Sequence, residues 1–339
     1  MPRAVHFGPI GSKGGMSSVI VDLIENAPEG WSSDAISTHS DTLAKMIFQW
    51  VKSRKELKRA VKGEKIDIAH VHVTHSLSWW RKRGILRICD KLRIPSVVHI
   101  HSGKFDHFCS GLSGISVKKE LSRPSRIVVV LEDRWKDRLS KWLPENTKVV
   151  YNSTNLIVDR SEHNLDEKIK LLLLSRHSRI KGHNFAIKII EKLNRDKIPV
   201  SLIMTGVTEQ DFNEGELPEN VDCVGWVSEM EKQNLLSKAD ILLSPSEYEG
   251  SSMSIIEGIV NGLPCLVSDV SAETVGLEDL VVSGYDEEQW ANRIIRLSEP
   301  KRYRECVVEL LHYSERYSRE KNKEAIGEIY EHLMEIIQQ

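Results

Sequence analysis

The chain reads as two α/β domains, each built on a doubly wound parallel sheet. Three observations predict this. First, 339 residues are more than one hydrophobic core usually carries. Second, short continuous apolar runs alternate with amphipathic stretches, the pattern of parallel strands buried on both faces and covered by helices. Third, the alternation pauses at "NSTNLIVDRSEHNLDEK" (152–168), polar and turn-rich, which reads as a linker. The domains are drawn at 1–155 and 156–312, with a closing packing helix in 313–339.

In order, the expected strands of the first half are "RAVHFG", "IDIAHVHV", "IPSVVHIH", "SRIVVVL" and "TKVVYN". Those of the second half are "IKLLLLSR", "PVSLIMTG", "VDCVGWV", "ADILLSPS", "LPCLVSD" and "DLVVSG". The last stretch places Ile326, Ile329, Tyr330, Leu333 and Ile336/Ile337 at helical spacing. In such sheets ligands bind at the carboxyl ends of strands, so the residues just after each strand are the ones to inspect.

Composition narrows the class. Apolar residues make up 40% and charged residues 28%, an ordinary soluble globular balance. No apolar run approaches the roughly 18–20 residues of a membrane span. The start has no long apolar segment after its charge, so a secretory signal is not expected. Five scattered cysteines without a CxxC pair fit reduced thiols in a cytoplasm better than a disulfide framework. The net charge of −2 hides an asymmetry: residues 1–150 carry 26 Lys+Arg against 15 Asp+Glu, and the remainder is correspondingly acidic. Opposite signs suggest a different partner for each half, or attraction between the halves.

The most informative stretch is "ADILLSPSEYEGSSMSIIEGIVNGLPCLVSD" (239–269), which reads strand, loop, helix, turn, strand. Ser251 or Ser252 can cap a helix carrying Met253, Ile255, Ile256, Ile259 and Val260. Its start offers free amides and a positive dipole end, a seat for phosphate. Glu249 precedes that start and Glu257 lies inside the helix. Carboxylates flanking an anion seat suit a ligand with hydroxyl donors on either side of its phosphates, as a nucleotide-sugar has. The plain alternative is a capped surface helix with solvated acids.

These residues carry a family resemblance. The Glu-x7-Glu spacing, preceded by "PS" and followed by "GLPCLVSD", resembles the retaining GT-B glycosyltransferases of family 4. "LLLLSRHSRIKGHNFAIKII", "VGWVSEMEKQNLLSKADILLSPS" and "YSREKNKEAIGEIYEHL" extend the likeness, and "GSKGGM", "VVHIHSG" and "VVYNST" add weaker pieces in the first half. The resemblance implies two Rossmann-like domains facing a cleft, with the N-terminal one binding the acceptor, the C-terminal one the nucleotide-sugar, and the closing helix returning to the first domain. It also implies roles. Glu257 would hold ribose hydroxyls and Glu249 the sugar's hydroxyls. The amides of Gly250, Ser251, Ser252, Met253 and Ser254 would hold phosphate or sugar. Arg176 and Lys181 would neutralise the diphosphate, stabilising the charge that develops as it leaves. Gly14 and Gly15 would let the backbone approach donor phosphates or acceptor, and His101 would contact the reacting sugar or acceptor. Transfer would retain configuration by front-face substitution, with the leaving phosphate accepting the proton. The chain departs from the family at "SRH" and "TGVTEQ", which lack its glycines, at "VSAET" after Asp269, where Glu273 stands, and at Ser153 and Thr154 in the linker.

Other stretches carry less. "GPIGSKGGMSS" is neither GxGxxG nor GxxxxGK[ST], which disfavours a dinucleotide site or a P-loop. His70, His72, His75, His99, His101 and His107 lie near strand ends, and alternate strand residues share a face, so metal binding is conceivable. There is no HExxH, CxxC or DxD, and the resembled family generally works without a divalent ion, so no cofactor and no metal are expected. "KSRKELKRAVKGEK" (52–65) and "SWWRKRGILRICDKLR" (78–93) are basic. The second reads as an amphipathic segment for an anionic membrane surface or an acceptor, through Trp79, Trp80, Arg81, Lys82 and Arg83, with Lys13 and His72 as further acceptor-side candidates. A solvated helix face is the alternative. No nucleic-acid motif accompanies the charge.

The expected protein is a cytoplasmic glycosyltransferase, free or held at the inner face of the membrane. Its donor would be UDP- or GDP-linked and its acceptor a glycan or lipid-linked molecule of cell-surface polysaccharide or glycoconjugate synthesis. The alternative is a non-catalytic nucleotide-sugar or glycan-binding protein with the same fold.

Overall fold

The computed structural model describes residues 1–11, 14–38, 51–57, 65–160, 163–213 and 217–338. They divide into two compact units, Met1–Thr154 with Ser318–Gln339, and Asn155–Tyr317.

The first unit is a six-stranded parallel sheet: β1 (Arg3–Gly8), β2 (Ser32–Ser37), β3 (Ile68–Val73), β4 (Ser96–Ile100), β5 (Arg126–Val130) and β6 (Lys148–Val149), in the order β2-β1-β3-β4-β5-β6. The expected strands all form. β2, "SSDAIS", was not expected: it is an edge strand of half-buried and exposed residues, so it needs no apolar run. Strand order reverses between β1 and β3.

Helix α1 (Gly15–Glu25) follows β1 and α2 (Leu77–Lys91) follows β3. One face of the sheet is aliphatic. Val71, Val73, Val98, Ile100, Val128 and Val130 share a core with Trp79, Ile85, Leu86 and Cys89 of α2. The opposite face carries histidines: His6 pairs in register with His70, and His72 with His99. The C-terminal helix (Arg319–Gln338) belongs to this unit and buries Ile326, Ile329, Tyr330 and Leu333. Asp22 of α1 accepts from Ser153 Oγ at 2.6 Å and pairs with Arg319 at 2.8 Å, tying linker entry and closing helix to the same point.

This packing corrects the placement of Trp79 and Lys82 on an outward, membrane-facing or acceptor-facing surface. Trp79 is 0% exposed, Lys82 2%, and Leu86 and Ile88 are buried, because the stripe 79, 82, 86, 89 at helical spacing faces the sheet. Lys82 spends its ammonium on the His72 carbonyl at 2.6 Å, and burial, with Arg81 nearby, pushes its pKa down to about 7. Trp80, 43% exposed, remains outward, with Arg83 over its ring at 5.3 Å.

The second unit is another six-stranded parallel sheet, in the order β12-β11-β10-β7-β8-β9. Its strands are β7 (Ile169–Leu173), β8 (Val200–Met204), β9 (Val221–Cys223), β10 (Ile241–Ser244), β11 (Cys265–Ser268) and β12 (Val281–Val282). Helices α3 (His183–Arg195), α4 (Glu229–Lys238) and α5 (Met253–Val260) follow β7, β9 and β10. The order reverses between the neighbours β7 and β10, so their carboxyl ends flank the crevice where doubly wound sheets take ligands. The linker is irregular in its described part. It is pinned to this unit by Arg160, which donates to the carbonyl of Ala239 at 2.9 Å, and by Asn261, which donates to the carbonyl of Leu156 at 2.9 Å. All five cysteines are free.

Candidate active site

The second unit gathers its candidates at the β7/β10 switch. The chain leaves β7 through exposed Arg176, turns through Arg179–Lys181, and enters α3 at Gly182. That glycine has φ +78°, and a Cβ there would lie 2.3 Å from the Pro245 carbonyl oxygen, so only glycine lets the turn close on the loop after β10. Gly206, φ +73°, does the same after β8, where a Cβ would meet the Ser175 carbonyl at 2.2 Å. The Glu247 amide donates to the Ile180 carbonyl at 2.8 Å. Against this frame Lys181 Nζ sits 2.5 Å from Glu249 Oε1.

Helix α5 starts four residues later, at Met253. Ser252 is its N-cap residue, without a side-chain capping bond; its hydroxyl lies 3.1 Å from that of Ser254. The Ser251 hydroxyl is buried with no hydrogen-bond partner among the described residues. The first amides of a helix have no acceptor within it, so this corner presents donors to an anion. One turn in, Glu257 is 5% exposed and accepts from Lys232 of α4 at 2.7 Å. Burial pushes the Glu257 carboxyl up and the Lys232 ammonium works against it. Lys232 itself is raised, since Glu257 and Glu229, the latter at 2.8 Å, outweigh its burial.

Glu249, Lys181 and the α5 start are therefore assembled as one constellation, with Arg176 at the neighbouring strand end. Neither acid is the solvated surface residue of the plain alternative. Lys232 was missed. Its only local signal is the Ser228/Glu231 capping box that starts α4, which says nothing about a partner 25 residues on.

In the first unit, Gly14 is the residue before α1 and Gly15 its first, at the carboxyl end of β1; Lys13 lies outside the described residues. His101 is half-buried just past β4, and its Nε2 is 2.9 Å from Nδ1 of His72. His72 is fully buried, which corrects its placement on an acceptor-side surface: it stands inside a column. His72 Nε2 lies 3.0 Å from His6 Nδ1, His6 Nε2 3.5 Å from the Tyr330 hydroxyl, that hydroxyl 2.8 Å from His70 Nδ1, and His70 Nε2 3.1 Å from His99 Nδ1. Burial pushes His6 and His101 down to about 3 and holds His70, His72 and His99 well below 6.5, so the column is neutral. His75, bonded to Ser102 at 2.6 Å, and exposed His107 stand apart from it. The sequence reading missed His6 and saw Tyr330 only as packing.

The surface around Trp80 is concave. Arg54, Arg83, Arg87, Lys91 and Arg123 line a groove of ≈ 660 Å³ with it. Arg83 also pairs with buried Glu120 at 3.0 Å.

Residues 168–299, all in the second unit, match the family model described as glycosyl transferases group 1. An uncharacterized 41.2 kDa protein in the cps region of Klebsiella pneumoniae is 24% identical over 84% of this chain and 86% of its own length. The Escherichia coli UDP-Gal:alpha-D-GlcNAc-diphosphoundecaprenol alpha-1,3-galactosyltransferase is 24% identical over 75% of this chain and 72% of its own. Sucrose-phosphate synthase from Thermosynechococcus elongatus superposes with a TM-score of 0.78 at 16% identity, covering 98% of this chain and 99% of that one, which establishes a shared fold.

Proposed function

We infer that this chain, a GT-B protein matched to glycosyl transferases group 1 over residues 168–299, transfers a sugar from a nucleotide-sugar in polysaccharide or glycoconjugate synthesis. The observation that carries the reading is the α5 corner: an anion seat whose Ser251 hydroxyl has no partner among the described residues, flanked by two carboxylates each held by a lysine.

The donor lies along this corner. Glu257, kept as an acceptor by Lys232, takes the ribose hydroxyls. The α5 amides and Ser251 take phosphate. Lys181, with Arg176, meets the diphosphate from the β7 side, so no divalent ion is needed to neutralise it. Glu249 orients Lys181 before the donor arrives and accepts from a sugar hydroxyl afterwards. Charge builds on the leaving diphosphate in the transition state, where fixed ammonium groups and helix amides stabilise it most.

The transfer is retaining, and the leaving phosphate takes the acceptor's proton. Glu249 is occupied by Lys181 and a sugar hydroxyl rather than poised as a nucleophile. The first unit takes the acceptor, with His101 at its strand end and Gly14 and Gly15 at the α1 start. The acceptor is a glycan or a lipid-linked molecule; the similarity to an enzyme named for a diphosphoundecaprenol acceptor supports the second. The basic groove beside Trp80 holds the protein on an anionic membrane surface.

The test is turnover of radiolabelled UDP- and GDP-sugars with a membrane extract as acceptor source, preceded by a thermal-shift screen of both donor classes, since ligand bound to the native state raises its stability. Transfer with retained configuration is the expected result. Donor binding without any transfer or hydrolysis would instead support the non-catalytic nucleotide-sugar-binding reading.

A further inference from the structure

The histidine column of the first unit has no role in the reading above beyond His101. It divides into two parts with different geometry. His6, His70 and His72 are stacked, with interplanar angles of 22°, 18° and 6°. Ring nitrogens lie in the ring plane, so stacked rings cannot aim them at one point. The nitrogens of His6, His70 and His72 are all engaged with each other, Tyr330, His99 or His101.

At the strand ends the arrangement changes. His72, His99 and His101 are tilted by 31° to 38°, with ring centroids 4.3 to 5.5 Å apart. Each offers a ring nitrogen within 4.8 Å of the other two. The sheet enforces this. His72 and His99 are register partners on β3 and β4, and His101 follows His99 by two residues on the same face. His99 Nε2 is buried and has no hydrogen-bond partner among the described residues. Leaving a buried nitrogen unpaired is unfavourable, and it is the atom a ligand would satisfy.

We propose that His72, His99 and His101 form a three-imidazole site for a late first-row divalent cation, of which Zn²⁺ is the reference. The chemistry of the set selects that class, since imidazole nitrogens suit zinc, cobalt, nickel and copper and not the oxygen-seeking Mg²⁺ or Ca²⁺. Zn–N bonds of about 2.0–2.1 Å in a tetrahedron place ligand nitrogens about 3.3 Å apart. His72 Nδ1 and His101 Nε2, now 2.9 Å apart, need to separate only slightly. The inner column then acts as an outer shell. His72 Nε2–H donates to His6 and His99 Nδ1–H to His70, which fixes the tautomers that leave the lone pairs facing the ion. His101, half-buried at the strand end, is the side from which the ion enters and where its fourth ligand sits.

The test is Co²⁺ titration of the tag-free, chelator-treated full chain, read by visible d–d absorption and by competition with a chromophoric chelator. The expected result is one saturable equivalent with tetrahedral bands, weakened at least about tenfold in His99→Gln. His312→Gln, at an exposed position outside the column, titrates like the unaltered chain. His101→Gln replaces His99→Gln if the latter does not fold. No saturable uptake by the unaltered chain, or uptake insensitive to the column variant, overturns the site. Neither readout depends on glycosyl transfer, so the proposal stands or falls apart from the enzymatic reading.

Discussion

Lys232 of α4 holds Glu257 of α5 at 2.7 Å, with side-chain exposures of only 14% and 7%. The pair joins α4 to α5 beside the α5 start, and its members are not equivalent. Lys232 has a second partner, Glu229 at 2.8 Å, whereas the only cation paired with Glu257 among the described residues is Lys232.

That asymmetry gives the first prediction. Breaking a buried ion pair is costly chiefly because it strands a charge, by about 3–5 kcal/mol when the pair is fully enclosed. Lys232→Met strands Glu257 and is expected to cost about 3 kcal/mol in urea unfolding. Glu257→Gln leaves Lys232 with Glu229 and is expected to cost about half that. Both lose donor affinity. Equal costs for the two variants would show that Glu229 does not take over.

Lys181 and Glu249 give the second. A charge-assisted hydrogen bond contributes about 1.5–3 kcal/mol, so Lys181→Ala should weaken nucleoside-diphosphate binding about 10- to 100-fold. Glu249→Ala frees Lys181, so affinity for the bare nucleoside diphosphate stays level or rises while sugar transfer is lost. Isothermal titration with UDP and GDP separates the two residues. Parallel loss of diphosphate affinity would mean Glu249 acts only by placing Lys181.

The parts of this site that were legible in the sequence are the local ones. Strand β10, the loop through Glu249 and the start of α5 are written in one contiguous stretch, with apolar run, turn residues and cap in order. Lys232 meets Glu257 only because β9, α4 and β10 route it there, a tertiary fact with no local signal. The histidine column needed the β1-β3-β4 register as well as alternation, and Tyr330 reaches His70 across 260 residues. Trp79 misled for a different reason. A helix stripe of Trp, Leu and Cys states that one face is apolar; it does not say whether that face meets a sheet or a lipid.

The column makes the third prediction, on pH. Its imidazoles are held neutral by burial, with pKa values lowered from 6.5, to about 3 for His6 and His101. Below 6.5 the unfolded chain binds protons that the folded chain refuses, so stability rises with pH there and falls as pH drops. A fall to about one unit below 6.5 costs about 1.4 kcal/mol for each such histidine. Lys82, pushed down to about 7 from 10.5, adds a slope of the same sign between those values. Urea midpoints should fall between about pH 7.5 and about pH 5.5, and less steeply in His99→Gln. A flat profile would mean the column is charged or open to water.

The basic groove carries the last prediction. With Trp79 in the core, Trp80 is the tryptophan of α2 that can meet a membrane. The charge beside it comes from Arg54, Arg83, Arg87, Lys91 and Arg123, of which Arg83 and Arg87 share Glu120, at 3.0 and 3.4 Å, and Arg123 pairs with Asp90 at 3.0 Å. Each basic residue near an anionic surface contributes about 1 kcal/mol, and the attraction fades over a Debye length. Binding to phosphatidylglycerol vesicles should therefore weaken steeply with salt. Arg87→Glu should weaken it about 30-fold, from one positive charge lost and one negative charge gained at about 1 kcal/mol each. Trp80→Ala should weaken it with little change in stability, because that ring is largely outside. Trp79→Ala should instead cost about 3–5 kcal/mol of folding stability, the penalty for emptying a core aromatic site. Vesicle sedimentation beside urea unfolding separates the two tryptophans. Vesicle binding that ignores both salt and Arg87→Glu would remove the groove as the membrane contact.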